Sequence, residues 1–405
     1  MRKQILLFAY ALLLGVIFGI IIWGFLRATS LSINLLWHHL PSQLAVPFYP
    51  ILICAIGGLL IGIVQKRYGA LPKDLPTVME DAKAGSKAKR DNLYVLLLAA
   101  FLPLVFGGSL GPEAGLAGII VALCFWISHK YKSFISGIES LGIIGIMSAL
   151  SVIFASPIFG LIAPIEDSNN DRALPKSSKI TLALAVIISS LGIMYILSSS
   201  FGGGAGIPRL QGFSSGGLEL SVFIPLVIIG VSLGFLFNIS GHLSAKLFNQ
   251  VKGWTIVKAV LGGLILGTTA IFLPNVMFSG EHQMLSLLEA NLPSLILILT
   301  GIAKLLITPL GISSGWRGGY IFPIIFSGLS IGLGLAGLLG ICPIFASAII
   351  TSALVSVVIE KPLATALLLL IPFGAPSVPF LLASSFLATF VSSLPIFSRI
   401  PTHKH

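Results

Sequence analysis

The chain is expected to be an all-α polytopic membrane protein made of two related halves, and three observations say so. Of its 405 residues 56% are hydrophobic and 9% charged, with a mean hydropathy of +1.04. Soluble globular chains carry about 25% charged residues, so this chain cannot cover a water-facing surface and must be solvated mainly by lipid. Apolar segments recur along its whole length, and several are shorter than a straight span and interrupted by glycine or proline. Stretches of the first half also reappear, in order, in the second.

The apolar segments cover residues 4–26, 48–64, 93–106, 114–128, 137–165, 179–200, 220–238, 255–273, 291–312 and 319–398. The first is too long for the apolar core of a signal peptide and lacks a small-residue cleavage site, so it reads as a membrane helix. The last is broken by Pro343, Pro362, Pro372, Pro376 and Pro379. A straight span takes about 20 apolar residues. Shorter, broken pieces predict tilted helices and helices that enter the membrane without crossing it, which survive only beside protein or an aqueous cavity. The hydrophilic segment 65–92 reads as a cytoplasmic-side loop, and no soluble regulatory domain is expected after the last apolar segment, where the chain ends THKH.

The net charge of +11 does not describe a nucleic-acid surface. Its basic residues sit in short clusters at Arg2-Lys3, Lys66-Arg67, 83–90, 129–132, 172–179 and 399–405, as flanks of spans held on the cytoplasmic side. A multi-pass protein of the plasma (cell inner) membrane is expected, with the lipid bilayer as its partner. Cys54, Cys124 and Cys342 are odd in number and set in apolar stretches, so neither a disulfide framework nor a metal cluster is expected, nor any cofactor. Gly311-Ile312-Ser313-Ser314-Gly315 fits the hydrolase pattern G-x-S-x-G, but it lies between membrane helices with no acid–histidine pair in evident reach, so the chain is not read as an enzyme.

The repeat divides the chain into halves at 1–200 and 201–405. AIGGLLIG (55–62) matches VLGGLILG (260–267), and SVIFASPI (151–158) matches SVVIEKPL (356–363), each at an offset of 205. Between them GSLGPEAG (108–115) answers SGWRGGYIFP (314–323), with Gly111 set against Gly318 at an offset of 207. In each break, glycines precede a helix, with Pro112 placed to begin the first one and Tyr320, Ile321 and Phe322 the second. A helix N-terminus leaves N–H groups unserved by the helix itself and carries about half a positive charge, and glycine lets a ligand approach the backbone. The pattern predicts an anion site of amides near the membrane midplane, formed by Gly108, Ser109, Leu110, Gly111 and Pro112 with Gly318, Gly319, Tyr320, Ile321 and Phe322. Amides suit a conductor better than a lysine would, because a full charge would hold the ion too tightly.

At these residues the chain resembles the CLC family of chloride channels and proton/chloride exchangers. That family's second-half signature is similar to Ser313 through Pro323, and its first-half signature to Gly108-Ser109-Leu110-Gly111-Pro112. A third stretch, leading to paired acids, is similar to Ser156-Pro157-Ile158-Phe159-Gly160 through Glu166-Asp167, and the turn before a late helix to SGEHQMLSLL (279–288). The resemblance runs from about residue 50 to 385. It implies a CLC-like inverted-repeat fold with broken and tilted helices, and a homodimer with one pore per subunit. It also implies chloride, or a similar small anion, held by helix N-termini of both halves and in some members exchanged for protons.

Departures from the family bear on mechanism. Its gating glutamate falls at Leu110, which cannot carry a proton. Glu113 follows three residues later, and on a shared helix face it would serve as a displaced gating carboxylate; a structural pairing is the other reading. The inner proton-relay acid falls at Asp167 beside Glu166, and a solvated helix end accounts for both equally well. The inner-gate motif is similar only to Tyr68-Gly69-Ala70-Leu71-Pro72, with Gly69 where a serine belongs, and no tyrosine follows Tyr320. GGGAGIP (202–208) looks alike but falls in the wrong order, and reads as an extracellular-side turn. Arg317 steers anions or is structural, and Lys304, inside an apolar span, needs a partner or water and suits a pore-facing role. Proton-coupled exchange or gated flow through Glu113 therefore stands beside an uncoupled halide channel, fluoride included. A cation-coupled permease and a non-transporting membrane scaffold are the readings of another class.

Overall fold

The computed structural model describes residues 2–44, 46, 48–84, 92–130, 141–166, 177–204, 206–251, 253–290 and 292–395. Among them the chain is helical almost throughout. Helix α1 (Arg2–Asn34) passes through a π-helical turn (Leu35–His39) into α2 (Leu40–Leu44), followed by α3 (Tyr49–Tyr68), α4 (Leu75–Ala84), α5 (Leu93–Val105) and α6 (Glu113–Lys130). Next come α7 (Leu141–Ile153), α8 (Pro157–Glu166), α9 (Ser177–Phe201), α10 (Gly217–Asn249), α11 (Thr255–Phe272) and the short α12 (Gln283–Glu289). The chain continues with α13 (Ser294–Ser314), α14 (Ile321–Leu339), α15 (Pro343–Ile359), α16 (Pro362–Phe373) and α17 (Val378–Ser393). Eight of the described helices are long and apolar enough to cross a membrane; α5, α7, α15 and α16 are apolar but shorter. This is a multi-pass integral membrane protein.

Contacts divide the chain into two units, one of Met1–Leu44, Ala70–Val105 and Pro112–Gly206, the other of Ala45–Gly69, Phe106–Gly111 and Ile207–His405. In the first, α1 lies along α9, where Gly15 and Gly19 admit the backbone of Val186 and Ser190. Helix α7 is its centre, packed by α6, α8 and α9, with Ala149 and Leu150 wholly buried. In the second, α14 and α15 are apolar on every face and buried accordingly, with Phe322, Phe326, Leu329, Phe345 and Leu354 at 0% exposure.

One expectation needs correction. The hydrophilic segment 65–92 is not all loop, since α4 lies within it: Leu75, Val78 and Met79 recur at helical spacing and are buried, and the Lys73–Asp81 pair (2.8 Å) ties its flank. Within the apolar segment 137–165 the helix breaks at Phe154–Ser156, between α7 and α8, as interrupted pieces were expected to.

The 205-residue offset reappears in the packing. Helices α3 and α11, which carry AIGGLLIG and VLGGLILG, run antiparallel against each other within one unit, and glycines line the seam. A Cβ on Gly58 would meet the carbonyl of Ala259, and one on Gly263 the carbonyl of Cys54; a Cβ on Gly62 would lie 2.6 Å from Ile256 Cα, and one on Gly267 2.7 Å from Ile51 Cα. Adding 205 to Cys54, Gly58, Ile51 and Gly62 gives Ala259, Gly263, Ile256 and Gly267, so each contact becomes its neighbour when the halves are exchanged. Local backbone agrees. Ala155 (φ +50°) and Glu360 (φ +58°), also 205 apart, are non-glycine residues in the left-handed region, each two residues ahead of a helix-starting proline, Pro157 and Pro362.

Gly58→Ala and Gly263→Ala should each destabilise by about 1–3 kcal/mol through overpacking, and to a similar degree. Thermal unfolding in detergent checks this; a loss at one site and none at the other would deny the symmetry of the seam.

Candidate functional site

Helix α5 ends at Val105 and α13 at Ser314, and each is followed by a glycine in the left-handed region, Gly107 (φ +89°) and Gly315 (φ +110°). The chain then runs without helix for a few residues before the next helix begins at Glu113 or Ile321. The two glycines and the two helix starts each stand 208 apart, as do Gly111 and Gly319, which exchange two hydrogen bonds: the N–H of each donates to the carbonyl of the other at 2.8 Å. At this common offset Gly111 corresponds to Gly319, one residue beyond the Gly318 set against it by the sequence match. This small antiparallel bridge fastens the two breaks together.

The bridge also determines which amides can serve a ligand. The N–H groups of Gly111 and Gly319 are used in it, and that of Leu110 closes a tight turn onto the Gly108 carbonyl at 2.8 Å. These three N–H groups are therefore not available to a ligand. The N–H groups of Gly108, Ser109 and Gly318, in contrast, make no hydrogen bond among the described residues. Gly108 and Ser109 are buried. A buried donor without an acceptor costs about 1–3 kcal/mol, so a cluster of them offers donation to an acceptor brought from outside.

Further contacts hold this geometry. Ser109 Oγ and Thr308 Oγ1 share a hydrogen bond of 2.9 Å, and the Phe278 N–H donates to the Gly107 carbonyl at 3.2 Å. At Gly318 a Cβ would stand 3.0 Å from the Leu110 Cβ and 3.3 Å from the Gly111 carbonyl oxygen. Trp316, 1% exposed, anchors the turn before it by donating Nε1–H to the Ala259 carbonyl at 2.8 Å. Tyr320 then occupies the N-cap of α14 without capping it through its own side chain, and its carbonyl accepts the Ile324 N–H at 3.1 Å. Ile321 and Phe322 form the first turn, so the positive end of a deeply buried helix begins where the second break ends.

The remaining candidates fall elsewhere. Pro112 precedes α6 instead of beginning it; its carbonyl accepts the Leu116 N–H at 2.9 Å, and Glu113 is the first helical residue, 0% exposed. Leu110 is not helical, so it shares no helix face with Glu113, and that ground for a displaced carboxylate is gone. Glu166 ends α8 half-buried, and Asp167 lies outside the described residues. Gly69 closes α3 in the open, its N–H bonded to the Gln65 carbonyl at 3.0 Å. Arg317 is half-buried in the second break. Lys304 is fully buried, with Nζ turned to the carbonyls of Asn275, Val276, Met277 and Phe278 at 2.8–3.3 Å, so it faces backbone and not a pore. Sequence reasoning passed over Thr308 and Phe278. Thr300, Lys304 and Thr308 stand four apart in an apolar helix, a polar stripe that could have pointed to the first.

A family model described as voltage gated chloride channel matches residues 57–393. Among curated relatives, a putative ion-transport protein YfeO of Escherichia coli O17:K52:H18 is 24% identical over 346 residues, covering 82% of this chain and 79% of that protein. One from Shigella boydii serotype 4 is 25% identical with the same coverage. Among solved structures, a CLC-type fluoride/proton antiporter superposes with a TM-score of 0.76 at 20% identity, covering 99% of both chains. A slow cyanobacterial Cl-/H+ antiporter gives a TM-score of 0.80 at 18% identity, covering 97% of this chain and 96% of that one. The fold is the one the sequence led us to expect.

Thr308→Val should strand the Ser109 hydroxyl and cost about 1–3 kcal/mol, whereas adding Ser109→Ala should recover part of that loss. Melting of the two variants in detergent decides it; a double variant weaker than the single one would disprove the pairing.

Proposed function

Because the chain belongs to the voltage-gated chloride channel family, we propose that it carries small inorganic anions, chloride first, across the plasma membrane as a homodimer. The observation that carries this reading is the group of amides at Gly108, Ser109 and Gly318, which make no hydrogen bond among the described residues and which sit at two breaks fastened by the Gly111–Gly319 bridge. Amide donors and the partial charge of α14 attract a monovalent anion without the full charge that would trap it. Leu110, 1% exposed, supplies an apolar wall that favours a partly dehydrated halide over a larger polar solute.

Coupling is assigned to Glu113. It is wholly buried at the start of α6, and an ionisable residue in a membrane segment is functional by default. In this reading it takes up a proton as the anion leaves, giving proton-coupled exchange with Glu166 and Asp167 as the inner acids. Leu110 favours a second reading, uncoupled halide flow, because the residue in the gating position cannot be protonated. Fluoride is tested beside chloride, since one structural relative is described as a fluoride/proton antiporter.

Purified protein in vesicles should release chloride, and a pH gradient alone should drive chloride uphill. Gly318→Val should cut the flux at least tenfold by pushing Leu110 and the Gly111 carbonyl aside. No flux of any halide from wild-type vesicles would end the anion reading. Glu113→Gln should leave chloride flux while abolishing linked proton movement; proton movement unchanged in that variant would remove Glu113 from coupling and leave the uncoupled reading in its place.

A further inference from the structure

We propose that Lys304 is a positioning residue for the anion loop, its ammonium group acting as a tethered monovalent cation that sets the turn at 275–278 and, through Phe278, the backbone from Gly107 to Gly111. This rests on the anion reading of that loop.

A charged lysine within an apolar membrane helix is expensive unless it is fully served. Lys304 is 0% exposed, and its Nζ lies 3.3, 3.0, 3.1 and 2.8 Å from the carbonyl oxygens of Asn275, Val276, Met277 and Phe278. An ammonium has three N–H donors, so four carbonyls from four consecutive residues surround it as they would a small cation, with bonds shared instead of assigned one to one. The Phe326 ring, its centroid 4.7 Å from Nζ, closes another side. Consecutive carbonyls repel one another when they point to one spot. A central positive charge is what holds this turn in shape.

Phe278 transmits the arrangement. It is a non-glycine residue at φ +60°, a left-handed conformation that L side chains adopt only when their surroundings hold them there. In that conformation its carbonyl meets Lys304 at 2.8 Å while its N–H reaches the Gly107 carbonyl at 3.2 Å. One residue thus joins the buried charge to the start of the loop. Four positions further along α13, Thr308 grips Ser109 at 2.9 Å. The same helix therefore fixes the loop at two points, one on each side of Gly108, and a slip at either would re-aim the Gly108 and Ser109 amides. The ring of carbonyls also explains how a full charge is tolerated beside a conducting site. Its field is largely answered by the four dipoles, so it shapes the loop without trapping the ion.

Halide titration of the purified full-length protein, with flux in vesicles beside it, tests this in Lys304→Met, Thr308→Val and the double variant. The expected result is a Lys304→Met protein that elutes like wild type yet binds chloride about tenfold more weakly and discriminates less between chloride and nitrate. Its loss should combine with that of Thr308→Val to less than the product of the two, because both act on one loop. Wild-type protein that neither binds nor carries a halide would sink the anion reading itself. Wild type that binds, with Lys304→Met binding and discriminating equally well, would overturn this inference alone, as would fully multiplicative losses. If Lys304→Met does not fold, the same quantities are read on Lys304→Gln, which keeps two donors without the charge. Failure of both to fold would assign Lys304 to folding only and overturn the proposal.

Discussion

Two hydrogen bonds of 2.8 Å between Gly111 and Gly319 are the constraint from which the rest of the site follows. A polypeptide inside a membrane has no water to satisfy an interrupted helix, so each break must find its partners in protein. Here the breaks satisfy one another. Beside this exchange the amides of Gly108, Ser109 and Gly318 make no hydrogen bond among the described residues. Side chains are kept out of this crossing by necessity, since even a methyl group on Gly318 would press on Leu110.

Around this crossing the structure is stiffened by groups that do not touch a ligand. Trp316 is buried to 1% exposure and tied to Ala259 on α11, and α11 in turn is locked along α3 by a seam of glycines. Lys304 and Thr308 hold the opposite flank from a single helix. Membrane packing lacks the hydrophobic drive that assembles soluble cores, so close backbone approach and buried hydrogen bonds must supply the specificity.

Much of this was legible in the amino-acid letters, and the parts that were not share a physical cause. Composition settled the solvent, and the match of 55–62 to 260–267 identified two helices that prove to pack on each other. The breaks were visible as glycine runs, but the repeat was set one residue short there, Gly111 against Gly318, because the adjacent Gly318 and Gly319 are the same letter. Helix α4 was hidden by averaging, since the charged residues of 65–92 mask the spacing of Leu75, Val78 and Met79. The partners of Lys304 were invisible because they are carbonyls, which every residue carries and no letter records. For the same reason the sequence could nominate Leu110 and Gly111 as amide donors but could not tell that both N–H groups are already spent.

The seam between α3 and α11 has an implication for how such a chain could arise. Its contacts map onto themselves when 205 is added to one side and subtracted from the other, which is the arithmetic of an isologous dimer interface written within one polypeptide. A half-length ancestor bearing one glycine stripe would have paired with a second copy of itself through this face, each mutation altering both sides at once. Joining two such genes end to end would preserve the contact unchanged while freeing the copies to diverge, and Leu110 in one break standing where the other has Gly318 is the kind of asymmetry that fusion permits.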